Sequence, residues 1–253
     1  MPEHACEFYN NLAADYDAMT DFSARLNSAV AFAGACRART NYATVLDVAT
    51  GTGVYALAFA KTGATVIGTD LAPSMLEQAR QHAQAHSLAI EWLAADMTRI
   101  DHTLNRQFDL VVCMGNSLPH ILNRTDLDQT IAGFSRLVNP GGSVAVQVLN
   151  YEQIQRENQR IVEINRMQNL EFIRFYDFTS PHLNFNILTI DWANATAQHH
   201  LQSVPLYPWR QSDLQQTMHR AGLQDITAYG SPALEPFVAE QSPTLLMFGK
   251  RPL

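Results

Sequence analysis

Four places in the 253-residue chain combine reactive groups with backbone that a ligand can approach closely. The first is Val45-Leu46-Asp47-Val48-Ala49-Thr50-Gly51-Thr52-Gly53, an apolar run closing on a glycine turn. Glycine has no Cβ, so a ligand can lie against its backbone. Asp47 is hard to explain as scaffold, because a carboxylate inside an apolar run is costly unless paired or solvated. The second is Asp70, at the end of the run 64–69. Its two acceptor oxygens suit the paired hydroxyls of a ribose. The third is Asp96-Met97, just past the run 89–94, where Asp96 could accept from an adenine amino group with Met97 and Leu71 flanking the ring. The fourth is Gly115-Asn116-Ser117-Leu118-Pro119-His120, after the continuous apolar run 108–114. Either aspartate would serve equally as a helix N-cap or turn residue.

Groups so spaced must be held at the ends of strands. Residues 45–48, 64–69, 89–94, 108–114 and 143–149 read as five strands. Helices fall between them at 54–60, from Pro73 to about His86, and at 127–138. Regular β-α alternation predicts a parallel, doubly wound sheet, whose ligands sit outside the carboxyl ends of the strands. Residues 225–229 and 245–250 add two strands as an antiparallel edge, after a helix over 211–222. Residues 150–206 alternate polar and apolar positions, with Ser180-Pro181-His182 breaking two strand-like runs; they predict an antiparallel insertion serving as a lid. Residues 7–36 predict one helix, with Phe8, Leu12, Tyr16, Met19, Phe22 and Leu26 on its apolar face. It either packs on the sheet or caps the ligand, with Tyr9 and Tyr16 reaching inward. The expectation is α/β: a Rossmann-like, mostly parallel seven-stranded sheet with an antiparallel C-terminal edge and an antiparallel lid. One domain covers 1–253, with a helical cap over 1–40 and the lid over 150–206.

Composition narrows the function classes. The formal net charge is −7, which argues against a general nucleic-acid or membrane-surface binder. Cys6, Cys36 and Cys113 are widely spaced and form no CxxC pair, so neither a disulfide framework nor a zinc site is expected, and a cytoplasmic setting fits. His82 and His86 share a helix face and His199-His200 are adjacent, but neither pair suits a common metal-ligand set; no metal is expected. There is no basic n-region of a signal peptide and no run apolar enough to span a bilayer.

The turn 51–56 also fits GxGxxA, which makes a nicotinamide-dependent dehydrogenase the formal competitor. Three features oppose it. Asp47 would repel a nearby pyrophosphate, Asp96 suits a base pocket after the third strand, and the C-terminal strands do not form a second βαβαβ half. The stretch 45–53, Thr69-Asp70-Leu71-Ala72-Pro73-Ser74-Met75-Leu76, Asp96-Met97 and Asn139-Pro140-Gly141-Gly142 resemble the motifs of class I S-adenosylmethionine-dependent methyltransferases. The resemblance spans roughly residues 8–150. A narrower one, to the glycine/sarcosine N-methyltransferase group, rests on residues 113–120, on Asn150-Tyr151-Glu152-Gln153-Ile154 and on Pro205-Leu206-Tyr207-Pro208.

The resemblance implies S-adenosylmethionine as methyl donor and S-adenosylhomocysteine as product. It places Asp47, Ala49 and Gly51 around the methionine part and Asp70 at the ribose, with Gly53 and Leu71 also among the cofactor-binding residues. Met75, Asp96 and Met97 fall at the adenine, Met114 under the sulfonium, and Tyr16 as a cover. It points Asn116, His120 and Tyr207 toward a small-molecule acceptor. In the glycine N-methyltransferase group an arginine precedes the Asn-Tyr pair and grips the substrate carboxylate; here that position is Leu149. Arg174, on a predicted lid strand, could take over, with Tyr176 as a hydrogen-bonding partner.

The expected reaction is in-line methyl transfer to an amine nitrogen, dominated by positioning. His120 stands as base or structural histidine, and Asn116 and Tyr207 as its catalytic partners. The alternatives are O-methylation of a small metabolite or a nucleotide-binding module without catalysis. The N-terminal helix and the lid are elements through which two copies could pair as a homo-oligomer.

Overall fold

The computed structural model describes residues 3–193 and 196–253. A seven-stranded sheet forms the centre. Its strands in chain order are β1 (Thr44–Val48), β2 (Thr65–Asp70), β3 (Glu91–Ala94), β4 (Phe108–Cys113), β5 (Val138–Leu149), and then β10 (Gln224–Tyr229) and β11 (Thr244–Lys250). The spatial order is β10-β11-β5-β4-β1-β2-β3. β1 to β5 pair in parallel, whereas β11 lies antiparallel between β5 and β10. The order reverses beside β1, so the carboxyl ends of β1, β2 and β4 open on one crevice, as expected at a topological switch point.

Burial on both faces explains the apolar strands. Leu46, Val48, Ile67, Val111 and Val146 face one core, against Ile131 and Phe134 of helix α6 (Arg124–Leu137). Val45, Val66, Leu110, Val112 and Ala145 face another, against Phe32 of α2 (Phe22–Arg39) and Leu57 and Phe59 of α3 (Val54–Lys61). Helix α4 (Pro73–Ala85) starts on proline at a position proline favours. Gly68 is a glycine because the Trp92 ring crosses it: a Cβ there would lie 2.3 Å from the indole. Short α5 (Ile100–Thr103) and α8 (Gln211–Arg220) complete the flanks.

Two local expectations change. The predicted single N-terminal helix is two, α1 (Glu3–Thr20) and α2, broken at Asp21. Asp21 is left-handed at φ 51 and its side chain accepts from Ala24 N, so it restarts the chain as an N-cap. The fifth strand begins at Val138 rather than 143, with Asn139-Pro140-Gly141-Gly142 carried as a register shift against β4 instead of a strand-free turn.

After α7 (Tyr151–Arg156), the predicted insertion is an antiparallel four-stranded sheet of β6 (Ile161–Met167), β7 (Leu170–Thr179), β8 (His182–Asp191) and β9 (Gln198–Leu206), in the order β6-β7-β8-β9. Its inner face, with Phe172, Tyr176, Leu183, Ile187 and Val204, joins the core that contains Phe8 and Leu12 of α1. Helix α1 is therefore clamped between this sheet and α4.

Candidate active site

The glycine turn is built from left-handed backbone at Ala49 (φ 56), Gly51 (φ 56) and Gly53 (φ 89). Two carboxylates brace it, Asp47 buried and Asp70 partly exposed. Thr50 Oγ1 donates to Asp47 Oδ2 at 2.5 Å. Gly51 N donates to Asp70 Oδ2 at 2.8 Å and Ala72 N to Asp70 Oδ1 at 2.9 Å. Burial pushes Asp47 up to about 7, against the Thr50 hydrogen bond. Burial also raises Asp70, partly offset by its backbone donors.

The carboxyl ends of β1, β2 and β4 enclose a small cavity of about 50 Å³. Tyr16, Ala49, Gly51, Asp70, Met75 and Met114 line it, as the sequence reading expected. So do Tyr9, Arg25, Tyr55, Gly115 and His120. Asp47, Gly53, Leu71, Asp96 and Met97 do not. Asp47 lies behind the turn, 1% exposed. Gly53 caps α3, where a Cβ would stand 2.9 Å from Trp92. The Leu71 carbonyl accepts from Cys6 Sγ of α1 at 3.4 Å. Met97 is buried in the core. Asp96 accepts from Thr98 N and Oγ1, both at 2.9 Å, and faces a separate depression shared with His120 and Asn123.

Helix α1 covers the β2-α4 junction, which takes Leu71 out of the cavity lining. Ala13 packs with Ala72 and Met75, and Ser74 N donates to Asn10 Oδ1 at 3.1 Å. Asp17 ties the helix down on two sides. Thr52 Oγ1 donates to its Oδ1 at 2.6 Å, and His82 Nε2 lies 2.6 Å from its Oδ2. Phe22 stacks on the His82 ring at 3.8 Å. His82 is thus a structural partner of the N-terminal helices.

A second chamber, of about 270 Å³, adjoins the first across a shared wall of Tyr9, Tyr16, Gly115 and His120. Asn116, Arg174 and Tyr176 line it, with Leu12, Leu149, Val162, Phe185 and Leu206 as its apolar surface. His120 is 3% exposed, and burial lowers it to about 4. Its Nε2 lies 2.9 Å from Tyr9 Oη, while Nδ1 is buried without a partner among the described residues. Burial drives the Tyr9 hydroxyl well above its usual value, so the pair is neutral. Among the described residues, Arg174 is the one charged residue lining the chamber; its guanidinium pairs with Glu163, and its Nε is buried with no hydrogen bond among those residues.

Asn116 is more committed than its sequence position suggested. Its Oδ1 accepts from Leu149 N at 3.0 Å, and its amide meets Tyr151 Oη at 2.8 Å. It ties the end of β4 to the end of β5 and leaves one amide hydrogen for the chamber. Tyr207 is a correction. Its N donates to Pro119 O, its ring stacks on Trp209 at 4.0 Å, and it lines a different depression with Pro181 and Arg210. Four groups outside the expected site residues line the two cavities: Tyr9, Arg25, Tyr55 and Gln147, whose Oε1 accepts from Gly115 N at 3.2 Å. Only Tyr9 left a signal, as an inward position on the helical face.

Residues 45–142 match the protein family described as a methyltransferase domain. The chain is 22% identical over 225 residues to the glycine/sarcosine N-methyltransferase of Parasynechococcus marenigrum (strain WH8102), covering 88% of this chain and 78% of that one. The chain carries a methyltransferase domain over residues 45–142, and its activity is S-adenosylmethionine-dependent methyl transfer. The methyltransferase is also 34% identical over 107 residues to a ubiquinone biosynthesis O-methyltransferase of Pseudomonas paraeruginosa (strain DSM 24068 / PA7), covering 42% of this chain and 44% of that one. An S-adenosylmethionine-dependent methyltransferase from Clostridium acetobutylicum ATCC 824 has the same fold, with a TM-score of 0.80 at 16% identity, over 97% of this chain and 99% of that one.

The methyltransferase uses S-adenosylmethionine, and the residues at the crevice fit it. A Cβ at Gly51 or Gly115 would meet nothing within 4 Å, so both glycines leave open space beside the Asp70 carboxylate.

Proposed function

We propose that the methyltransferase acts on the amine nitrogen of a small molecule, with an apolar body filling the chamber and an anionic group near Arg174. The observation that carries this reading is the shared wall: a buried, neutral imidazole stands where the cofactor crevice meets a mostly apolar chamber. The similarity to a glycine/sarcosine N-methyltransferase supports nitrogen as acceptor. Asp70 would hold the ribose of the cofactor, the glycine turn would take its methionine part, and Met114 would lie by the sulfonium. When bound, S-adenosylmethionine supplies an electrophilic methyl group on a positively charged sulfur.

The chain's own residues then position. An imidazole held near 4 is a poor proton store at neutral pH, so its service is orientation. With Nε2–H donated to Tyr9 Oη, Nδ1 remains an acceptor for an N–H of a neutral amine. That hydrogen bond aims the lone pair, which is the proximity contribution to rate. The amine arrives without its proton, and the product ammonium releases one to solvent. The sheet of β6–β9 acts as the substrate lid: Arg174 and Tyr176 project from its inner face. Arg174 substitutes, from the opposite wall, for the cation that Leu149 cannot provide.

The test is transfer from methyl-labelled S-adenosylmethionine to panels of amines, phenols, carboxylates and thiols. Label in amines that carry a carboxylate or phosphate is expected. Label confined to phenols or carboxylates would make this an O-methyltransferase. Cofactor binding with no transfer to any panel would leave only a binding module.

A further inference from the structure

From Val144 to Leu149, β5 is apolar except at Gln147, a polar side chain only 8% exposed. A buried amide costs free energy unless its groups are hydrogen-bonded, so a glutamine here calls for partners at both ends. One end has them. Gln147 Oε1 accepts from Gly115 N at 3.2 Å and from Tyr55 Oη at 3.4 Å. A backbone N–H can only donate, so the amide cannot turn over. Its oxygen faces Gly115, and Nε2 with its two hydrogens faces the other way. Nε2 makes no hydrogen bond among the described residues, and Gln147 lines the acceptor chamber.

The neighbours complete a pattern. Gly115 and His120 line both cavities, so this end of the chamber adjoins the cofactor crevice. Asn116 follows Gly115 and has one amide hydrogen left after Tyr151. His120 Nδ1 is unpartnered among the described residues and, with Nε2–H on Tyr9, accepts. The wall therefore offers an acceptor for an N–H beside neutral donors for an oxygen. An acceptor molecule with a bare amine would use only the histidine and leave the Gln147 donor buried and unsatisfied.

We propose that Gln147 is a specificity-determining residue, and that the methyl acceptor is an amine with a hydroxyl or carbonyl oxygen on the neighbouring carbon. This rests on the amine reading above and deepens it. Gln147 Nε2 donates to the oxygen while His120 Nδ1 accepts from the nitrogen. Two contacts to neighbouring groups fix the rotation of the amine as well as its place, so its lone pair faces the crevice. A neutral amide suits a neutral oxygen. An ionised group of the same molecule goes to Arg174 on the lid, the one cation lining the chamber among the described residues.

Matched amines that differ only in the oxygen test this: vicinal aminocyclohexanol against cyclohexylamine, and phenylglycinol against α-methylbenzylamine. All have an apolar body and no anion, so Arg174 does not enter the comparison. Transfer is followed with methyl-labelled S-adenosylmethionine, and mass spectrometry places the methyl group. In the wild type, kcat/KM should favour the oxygenated member by about ten-fold or more, since the other leaves a buried donor unsatisfied. Gln147→Leu should bring the members of each pair within about two-fold of one another. Gln147→Met, unbranched like glutamine but without a donor, reads the same ratio where leucine does not fit. A purely bracing role would slow both members alike and leave the ratio unchanged. Tyr55→Phe, which removes one brace while Gly115 still holds the amide, should keep the wild-type ratio. Equal rates in the wild type, or a preference that survives both Gln147 variants, would overturn the proposal and leave the amine reading standing. Methyl on oxygen, or no label in any amine, would overturn the amine reading and this proposal with it.

Discussion

At the level of single residues, the site depends on Asp70 and His120. Asp70 is partly exposed at the crevice and held by the backbone N–H groups of Gly51 and Ala72, so the carboxylate is already oriented when the cofactor arrives. Asp70→Ala should weaken S-adenosylmethionine binding by about 1–3 kcal/mol, the usual worth of hydrogen bonds to a charged group; calorimetry showing unchanged affinity would remove the ribose assignment. His120 is buried with one nitrogen on Tyr9 and one unpartnered. His120→Ala should cut kcat far more than cofactor affinity, and Tyr9→Phe should do the same more weakly. The kcat profile of the wild type should show no break near 6.5, because burial has already moved the imidazole to about 4. An inflection near 6.5 that disappears in His120→Gln would restore the general-base role. Arg174→Gln should raise the acceptor KM and leave cofactor affinity alone. Asp70 was legible in the sequence because it ends an apolar strand, and His120 because it closes the segment after β4 that carries the resemblance. Tyr207 was misplaced because only a resemblance suggested it: the chain turns at Pro208 and lays the ring on Trp209, outside the chamber.

At the level of elements, the parallel strands were readable because burial on both faces leaves continuous apolar runs. The alternation in 150–206 was equally plain. The N-terminal helices were not, since one left-handed aspartate at 21 divides a periodicity that otherwise continues. Nor could periodicity reveal that α1 sits on α4, or that Asp17 joins Thr52 to His82, because those partners are 35 and 65 residues away. That geometry makes α1 the cover of the cofactor crevice. Exchange of a cofactor held in the crevice therefore requires this helix to lift. Asp17→Ala removes both ties at once. Stopped-flow displacement should show cofactor dissociation accelerated by about five-fold or more, the equivalent of roughly 1 kcal/mol at one such contact. A dissociation rate equal to wild type would mean that α1 is held by its apolar face alone.

At the level of the whole molecule, the crevice leaves a mark on stability that can be measured without any substrate. Asp47 is raised from 3.8 to about 7 by burial, and His120 lowered from 6.5 to about 4 by the same cause. Between those limits the folded state holds an extra proton on Asp47 and lacks one on His120 that the unfolded chain carries. Stability rises with pH wherever the unfolded state binds more protons. Asp47 therefore contributes stability below pH 3.8 that is lost as pH rises through about 7, an effect of roughly 4 kcal/mol. His120 acts in the opposite sense: its contribution, roughly 3 kcal/mol, is complete above 6.5 and is lost as pH falls toward 4. The two nearly cancel between pH 4 and 6.5, so neither is visible in the wild type. Asp47→Asn uncovers the histidine. Its urea-unfolding free energy should climb by roughly 3 kcal/mol relative to wild type between pH 4.5 and 7, and adding His120→Gln should flatten that climb. Parallel wild-type and Asp47→Asn curves would mean that Asp47 is already ionised in the folded protein. The buried carboxylate behind the glycine turn would then carry a charge before the cofactor's own positive charges arrive.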